Sequence, residues 1–151
     1  MKKSRGFTLV ELMATVTIMA ILVGMAIPLA RNSIKREREI ELRNHLHDMR
    51  EAIDKFKEAS DLGQIEKPND TEGYPQTLDQ LVDGVQLIGQ AGKNVKFLRK
   101  IPTDPMTNST DWGMRSYQDE ANSQSWGGQN VFDVYTKSEG TAFDGTRYKD
   151  W

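Results

Sequence analysis

Apolar positions follow two patterns along this chain. From Leu12 to Ala30 no residue carries a charge. As a helix rising ~1.5 Å per residue, that run spans roughly 28 Å, close to the ~30 Å of a hydrocarbon core. Thr15 and Thr17 can bond back to helix carbonyls, so they do not interrupt it. The pattern then narrows to a stripe. Leu42, Leu46, Met49, Ile53 and Phe56 recur at steps of four, three, four and three, which marks one apolar helical face. Charged residues, among them Glu39, Arg43, Asp48, Arg50 and Asp54, fill the other faces. One long helix from about Phe7 to Ala59 is therefore expected, and Gly63 and Pro68 end any continuation. Its weakest stretch is Gly24 to Pro28, because Gly24 is a poor helix former and Pro28 cannot donate to the Gly24 carbonyl. That stretch reads either as a tolerated kink or as a place where the helix bends in packing.

Beyond the helix the chain is polar and punctuated. Residues 61–76 read as a loop. Thr77-Leu78-Asp79-Gln80 has capping-box spacing and predicts a short helix to about Val82. Pro102-Thr103-Asp104-Pro105 predicts a turn with fixed φ angles. Strands are expected near Gly113–Tyr117 and over Asn130–Thr136, joined by a hairpin-like connection. In the second strand Phe132 and Val134 should share a face against the helix stripe. Residues 138–151 read as an irregular tail pinned by its aromatics. The expected class is α+β: a long N-terminal helix, its second half packed on a small antiparallel sheet, with an irregular C-terminal loop.

Composition narrows the chemistry. With 151 residues there is room for one domain. Twenty basic side chains against 22 acidic ones leave −2, with no basic surplus to favour nucleic acid. Cysteine is absent, which excludes disulfides and thiol chemistry. His45 and His47 point to different helical faces and should both be solvated. Gly92-Lys93-Asn94 does not match a phosphate loop, and no Gly-x-Ser-x-Gly occurs. Trp112, Tyr117 and Trp126 read as packing residues. Nothing here supports an enzyme.

The N-terminus is more specific. Lys2, Lys3 and Arg5 form a basic leader ending at Gly6. Phe7-Thr8-Leu9-Val10-Glu11 follows and opens the apolar run. A secretory signal cleaved near Gly24-Met25-Ala26 is the competing reading, but Glu11 falls early in what would be its apolar core. The arrangement resembles the class III signal of type IV pilins and pseudopilins. The resemblance implies that a prepilin peptidase cuts after Gly6 on the cytoplasmic side and N-methylates Phe7. The parts would then be a leader (1–6), a transmembrane and filament-core helix (7–30), its amphipathic continuation (31–60) and a periplasmic pseudopilin domain (61–151). Cleavage would create a cationic amine at Phe7 for Glu11 of a neighbouring subunit to meet. An unpaired carboxylate in lipid costs several kcal/mol, so such a pair acts as a register device. The cut also removes Lys2, Lys3 and Arg5, so 17 basic side chains would face 22 acidic ones, five net negative charges.

Further along, Gly73-Tyr74-Pro75 with Leu78 and Leu81 is similar to the loop and short helix of the type II secretion major pseudopilin. So are Leu98 to Pro105, with Leu-x-x-x-Pro-x-Asp-Pro spacing, and Val131 to Tyr135. The lack of cysteine agrees better with that branch than with type IVa pilins. The resemblance implies a helical homo-oligomeric filament at the bacterial inner membrane with its domain in the periplasm. It also implies minor pseudopilins, an assembly platform and a cytoplasmic ATPase as partners. Major pseudopilins commonly bind calcium in the C-terminal loop, and oxygen ligands suit that cation. Here Glu139, Asp144 and Asp150 are the candidates. This tail is shorter and less acidic than the family loop, and Arg147 and Lys149 offer internal partners instead. A type IV pilin, a competence pseudopilin and a periplasmic binding module on a single helix are the alternative readings.

Overall fold

Thr8 starts the first helix. Its carbonyl accepts from the Leu12 amide at 3.1 Å, and its hydroxyl accepts from the Glu11 amide at 3.2 Å, the first half of a capping box. α1 then runs over Leu9–Asp61. A computed structural model describes residues 6–90 and 92–151, without the side chains of residues 25–31. The chain divides into two compact units, one ending at Glu37 and one spanning Arg38–Trp151.

In the first unit the described apolar side chains are exposed on every side of the helix. Phe7 is 81% exposed, Met13 63% and Leu22 61%. Thr15 and Thr17 donate their hydroxyls to the carbonyls of Leu12 and Met13, both at 2.8 Å, so their polarity is absorbed by the backbone. Among the described residues no helix is long and apolar enough to cross a membrane. The expected span over 7–30 includes residues 25–30, whose side chains lie outside the described residues. The Pro28 half of the expected weak point lies there too. Gly24, its other half, has open space around it.

In the second unit the stripe is buried as its spacing requires. Leu42, Met49, Ile53 and Phe56 are 0% exposed, and Leu46 is 2% exposed. Against them pack Ile65, Leu81, Trp112, Val131, Val134 and Tyr148. α2 covers Asp79–Asp83. The expected Thr77 capping box does not form. Instead Gln80 Oε1 reaches back one residue further and accepts from the Gln76 amide at 2.8 Å.

The single expected sheet is two small ones. β1 (Val85–Gln86) pairs antiparallel with β2 (Asn94–Val95), and β3 (Gly113–Arg115) pairs antiparallel with β4 (Asp133–Tyr135). The first hairpin had no alternating apolar run to announce it. Gly84 enters it at φ 86°, and a side chain there would press on the Val95 carbonyl at 2.7 Å. In the second, Gly113 faces Tyr135, whose ring lies where a Cβ would sit, 2.3 Å from Cζ. β4 begins only at Asp133, so strict alternation does not reach Phe132. Val131 fills the core, and Phe132 stays 41% exposed, edge-on to Tyr74 and Tyr117. This corrects the expectation that Phe132 joins Val134 on the stripe.

Candidate functional site

Phe7 and Glu11 lie where the sequence put them, at the exposed start of α1. Glu11 occupies the third helical position behind the Thr8 cap, where a negative charge complements the helix dipole. Thr8-x-x-Glu11 was a readable capping signal, and it gives Glu11 a local role that the reading as an intersubunit partner left out. In the uncut chain the Phe7 nitrogen is an amide bonded to Gly6. The cation that Glu11 would neutralise therefore appears only after proteolysis.

The second constellation ties the tail to α1. Tyr148 is 4% exposed and donates its hydroxyl to Glu39 Oε1 at 2.8 Å. The Phe143 amide donates to the same oxygen at 3.2 Å. Burial, with the Glu39 carboxylate as acceptor, pushes the Tyr148 phenol up to about 12. Arg43 lies over the Trp151 ring at 3.9 Å and reaches Asp144 at 3.4 Å. The Thr146 hydroxyl and amide, both bonded to Asp144, hold that carboxyl below the usual carboxylate range, and Arg43 adds to the effect. Tyr148 and Trp151 thus pin the tail, whereas Phe143 is 53% exposed.

The calcium candidates are each engaged within the chain. Lys149 bonds Glu139 at 2.9 Å, Arg147 bonds Asp150 at 2.9 Å, and Asp144 is held by Thr146 and Arg43. Among the described residues no three of His, Asp and Glu are grouped to hold a metal ion. Three acids that each face a different partner do not supply the convergent six to eight oxygens that calcium takes. The residues present do not fit that cation.

A third constellation was not read from the sequence. Asp133 of β4 bridges two guanidinium groups, Arg50 Nε at 2.7 Å and Arg115 Nη1 at 3.0 Å. Arg50 also donates to the main-chain oxygens of Val134 at 3.1 Å and Trp151 at 2.8 Å. Arg115 donates to the Ser123 carbonyl at 2.9 Å and stacks 4.1 Å from the Tyr135 ring centroid. The sequence pattern places Arg50 only on a helical face outside the apolar stripe. In the fold it joins helix, strand and tail. Asp104, from the expected Pro-Thr-Asp-Pro turn, is 1% exposed and accepts from the Met106 amide and from the Thr107 and Thr136 hydroxyls. His45 is half-buried with Nδ1 3.0 Å from the Thr103 carbonyl oxygen, contrary to the expectation that it is solvated.

Comparison with known proteins bears on the first constellation. The family model described as the prokaryotic N-terminal methylation motif matches residues 1–27. That motif supports the type IV pilin-like class. It indicates a prepilin peptidase substrate and suggests a membrane-anchored N-terminus, and it implies filament assembly only in general terms. No curated protein matches the chain, and no solved structure does. The long N-terminal helix and small antiparallel sheets are consistent with a pilin-like α+β fold.

Proposed function

We propose that this chain is a structural, non-catalytic subunit of a pseudopilus that polymerises at the bacterial inner membrane to drive type II protein secretion. A prepilin peptidase cuts between Gly6 and Phe7 and methylates Phe7. The apolar helix crosses the membrane once and later lies in the filament core. Glu11 of one subunit neutralises the Phe7 amine of the next. Minor pseudopilins, a membrane platform and a cytoplasmic ATPase serve the assembly. One observation carries the reading: the methylation motif opens a helix whose described apolar side chains up to Val23 are exposed all round, far more surface than a lone soluble chain tolerates. The absence of cysteine supports the pseudopilin branch over type IVa pilins.

Mass spectrometry of the protein from its native membrane tests the proposal. The expected mature chain starts at Phe7 and carries one added methyl group. A start near Ile27 or Arg31 would mean secretion instead. Glu11→Ala is expected to leave the chain in the membrane but stop its polymerisation. Unimpaired polymer from that variant defeats the register argument, and a chain that never polymerises points to the single-helix binding module.

A further inference from the structure

Charge in the Arg38–Trp151 unit is distributed unevenly. Among the described residues, eight of its cations sit on a carboxylate of the same chain. Lys93, Lys96, Arg99 and Lys100 do not, although all four are exposed and fall within eight consecutive positions. No acid interrupts that segment. Among the described residues of this unit, 93–100 is thus a concentrated basic segment that forms no ion pair with the unit's own carboxylates.

The matching acids lie elsewhere. Glu66, Asp70 and Glu72 are exposed on the loop after α1, and they too form no ion pair among the described residues. That loop closes on the helix where Gly73 meets Lys57, Ser60 and Asp61. The basic segment approaches another part of α1, since Arg99 and Lys100 line an open groove with Asp48 and Glu51. Asp48 and Lys57 are nine residues apart, which at ~100° per residue puts them on roughly opposite sides of the helix. Met49, Ile53 and Phe56 of the buried stripe lie between these two sides.

We propose that the basic segment 93–100 is an assembly surface whose partner is the acidic loop 66–72 of a second copy of this chain. Two different, complementary patches on opposite sides make a head-to-tail contact. Such a contact propagates as an open helical filament wherever its rotation does not close into a ring. Exposed charges of this kind steer association and fix register more than they add affinity, and salt screens them over about 8 Å at physiological strength. The proposal rests on the filament reading and adds the surface through which the domains meet.

The test uses the full chain in its membrane, with polymer recovered and quantified. Reversal of one side, Arg99→Glu with Lys100→Glu, should lower polymer about tenfold or more by setting like charges together. Reversal of the other, Asp70→Lys with Glu72→Lys, should do the same. All four substitutions together should restore polymer, which also shows that loss in either pair was not a failure to fold. Polymer unaffected by either reversal removes this contact and leaves the filament reading intact. Loss from both reversals without restoration by the four-fold variant removes the pairing. If the basic reversal also weakens binding to anionic vesicles relative to zwitterionic ones, the segment serves lipid headgroups instead. A wild-type chain cut at Gly6 that never polymerises removes both the filament reading and this contact.

Discussion

Replacing Asp133 with Asn removes a charge at the point where helix, sheet and tail meet, and changes almost no volume. Arg115 is 10% exposed at its side chain and Asp133 is 23% exposed. Breaking a fully buried pair typically costs ~3–5 kcal/mol, because a charge is left without compensation. Two features lower that figure here. Arg50 keeps its bonds to Val134 and Trp151, and at 37% exposure it is partly solvated. Arg115 keeps the Ser123 carbonyl and the Tyr135 ring. The net expectation is a loss of about 2–3 kcal/mol, or roughly 10 °C in the melting temperature of the unit. Urea or thermal unfolding in detergent, followed by the fluorescence of Trp112, Trp126 and Trp151, measures it. Asp150→Asn is the internal control, since its Arg147 pair is 59% and 48% exposed and such pairs contribute at most about 1 kcal/mol. Equal losses from the two variants would refute the claim that Asp133 is the interior bridge.

Three further outcomes follow from the same geometry. Tyr148→Phe should destabilise the unit by about 1.5–3 kcal/mol, the usual worth of a bond to a charged acceptor. Tyr148 titrates from the ordinary 10.0 up to about 12, so the folded state holds the proton more tightly. The corresponding stability is present below pH 10 and lost as pH rises toward about 12, and an alkaline unfolding series should show Tyr148→Phe without that part of the decline. Gly113→Ala should cost about 1–3 kcal/mol, because the Tyr135 ring must leave its place, and Tyr135→Ala in the same chain should cancel most of that cost. Calcium added in excess, or its chelation, should leave the melting temperature unchanged. A millimolar site at ten-fold excess would instead raise stability by about 1.4 kcal/mol.

The parts of the fold legible in the sequence were those set by local period or by a single residue. Leu42 to Phe56 declared its buried face because helical geometry fixes which side chains align, whatever they pack against. Glu11 stood out because a carboxylate in an apolar run has few physical reasons to be there. What could not be read depends on partners far apart in the chain. Arg50 meets Asp133 and Trp151 across 83 and 101 positions, and nothing in its neighbourhood distinguishes it from Arg43 or a solvated arginine. Phe132 failed for a related reason. Alternation predicts its face only if the strand extends that far, and strand length is set by what the other strand offers. The β1–β2 hairpin is two residues deep on each side, too short for any period to register.

These long-range polar contacts answer a structural need. Two-stranded hairpins are marginal by themselves, and this unit has two of them and no three-stranded sheet among the described residues. A disulfide is excluded by composition, and the tail acids do not converge on a metal. The tail must therefore be held by α1 itself. It is: Glu39, Arg43 and Arg50 bond Tyr148, Asp144 and Trp151 respectively. The spacing of the three helix residues, four and then seven, puts them within about 40° of one another on the helix. That makes a polar stripe beside the apolar one, and the chain closes through side chains of its own first helix.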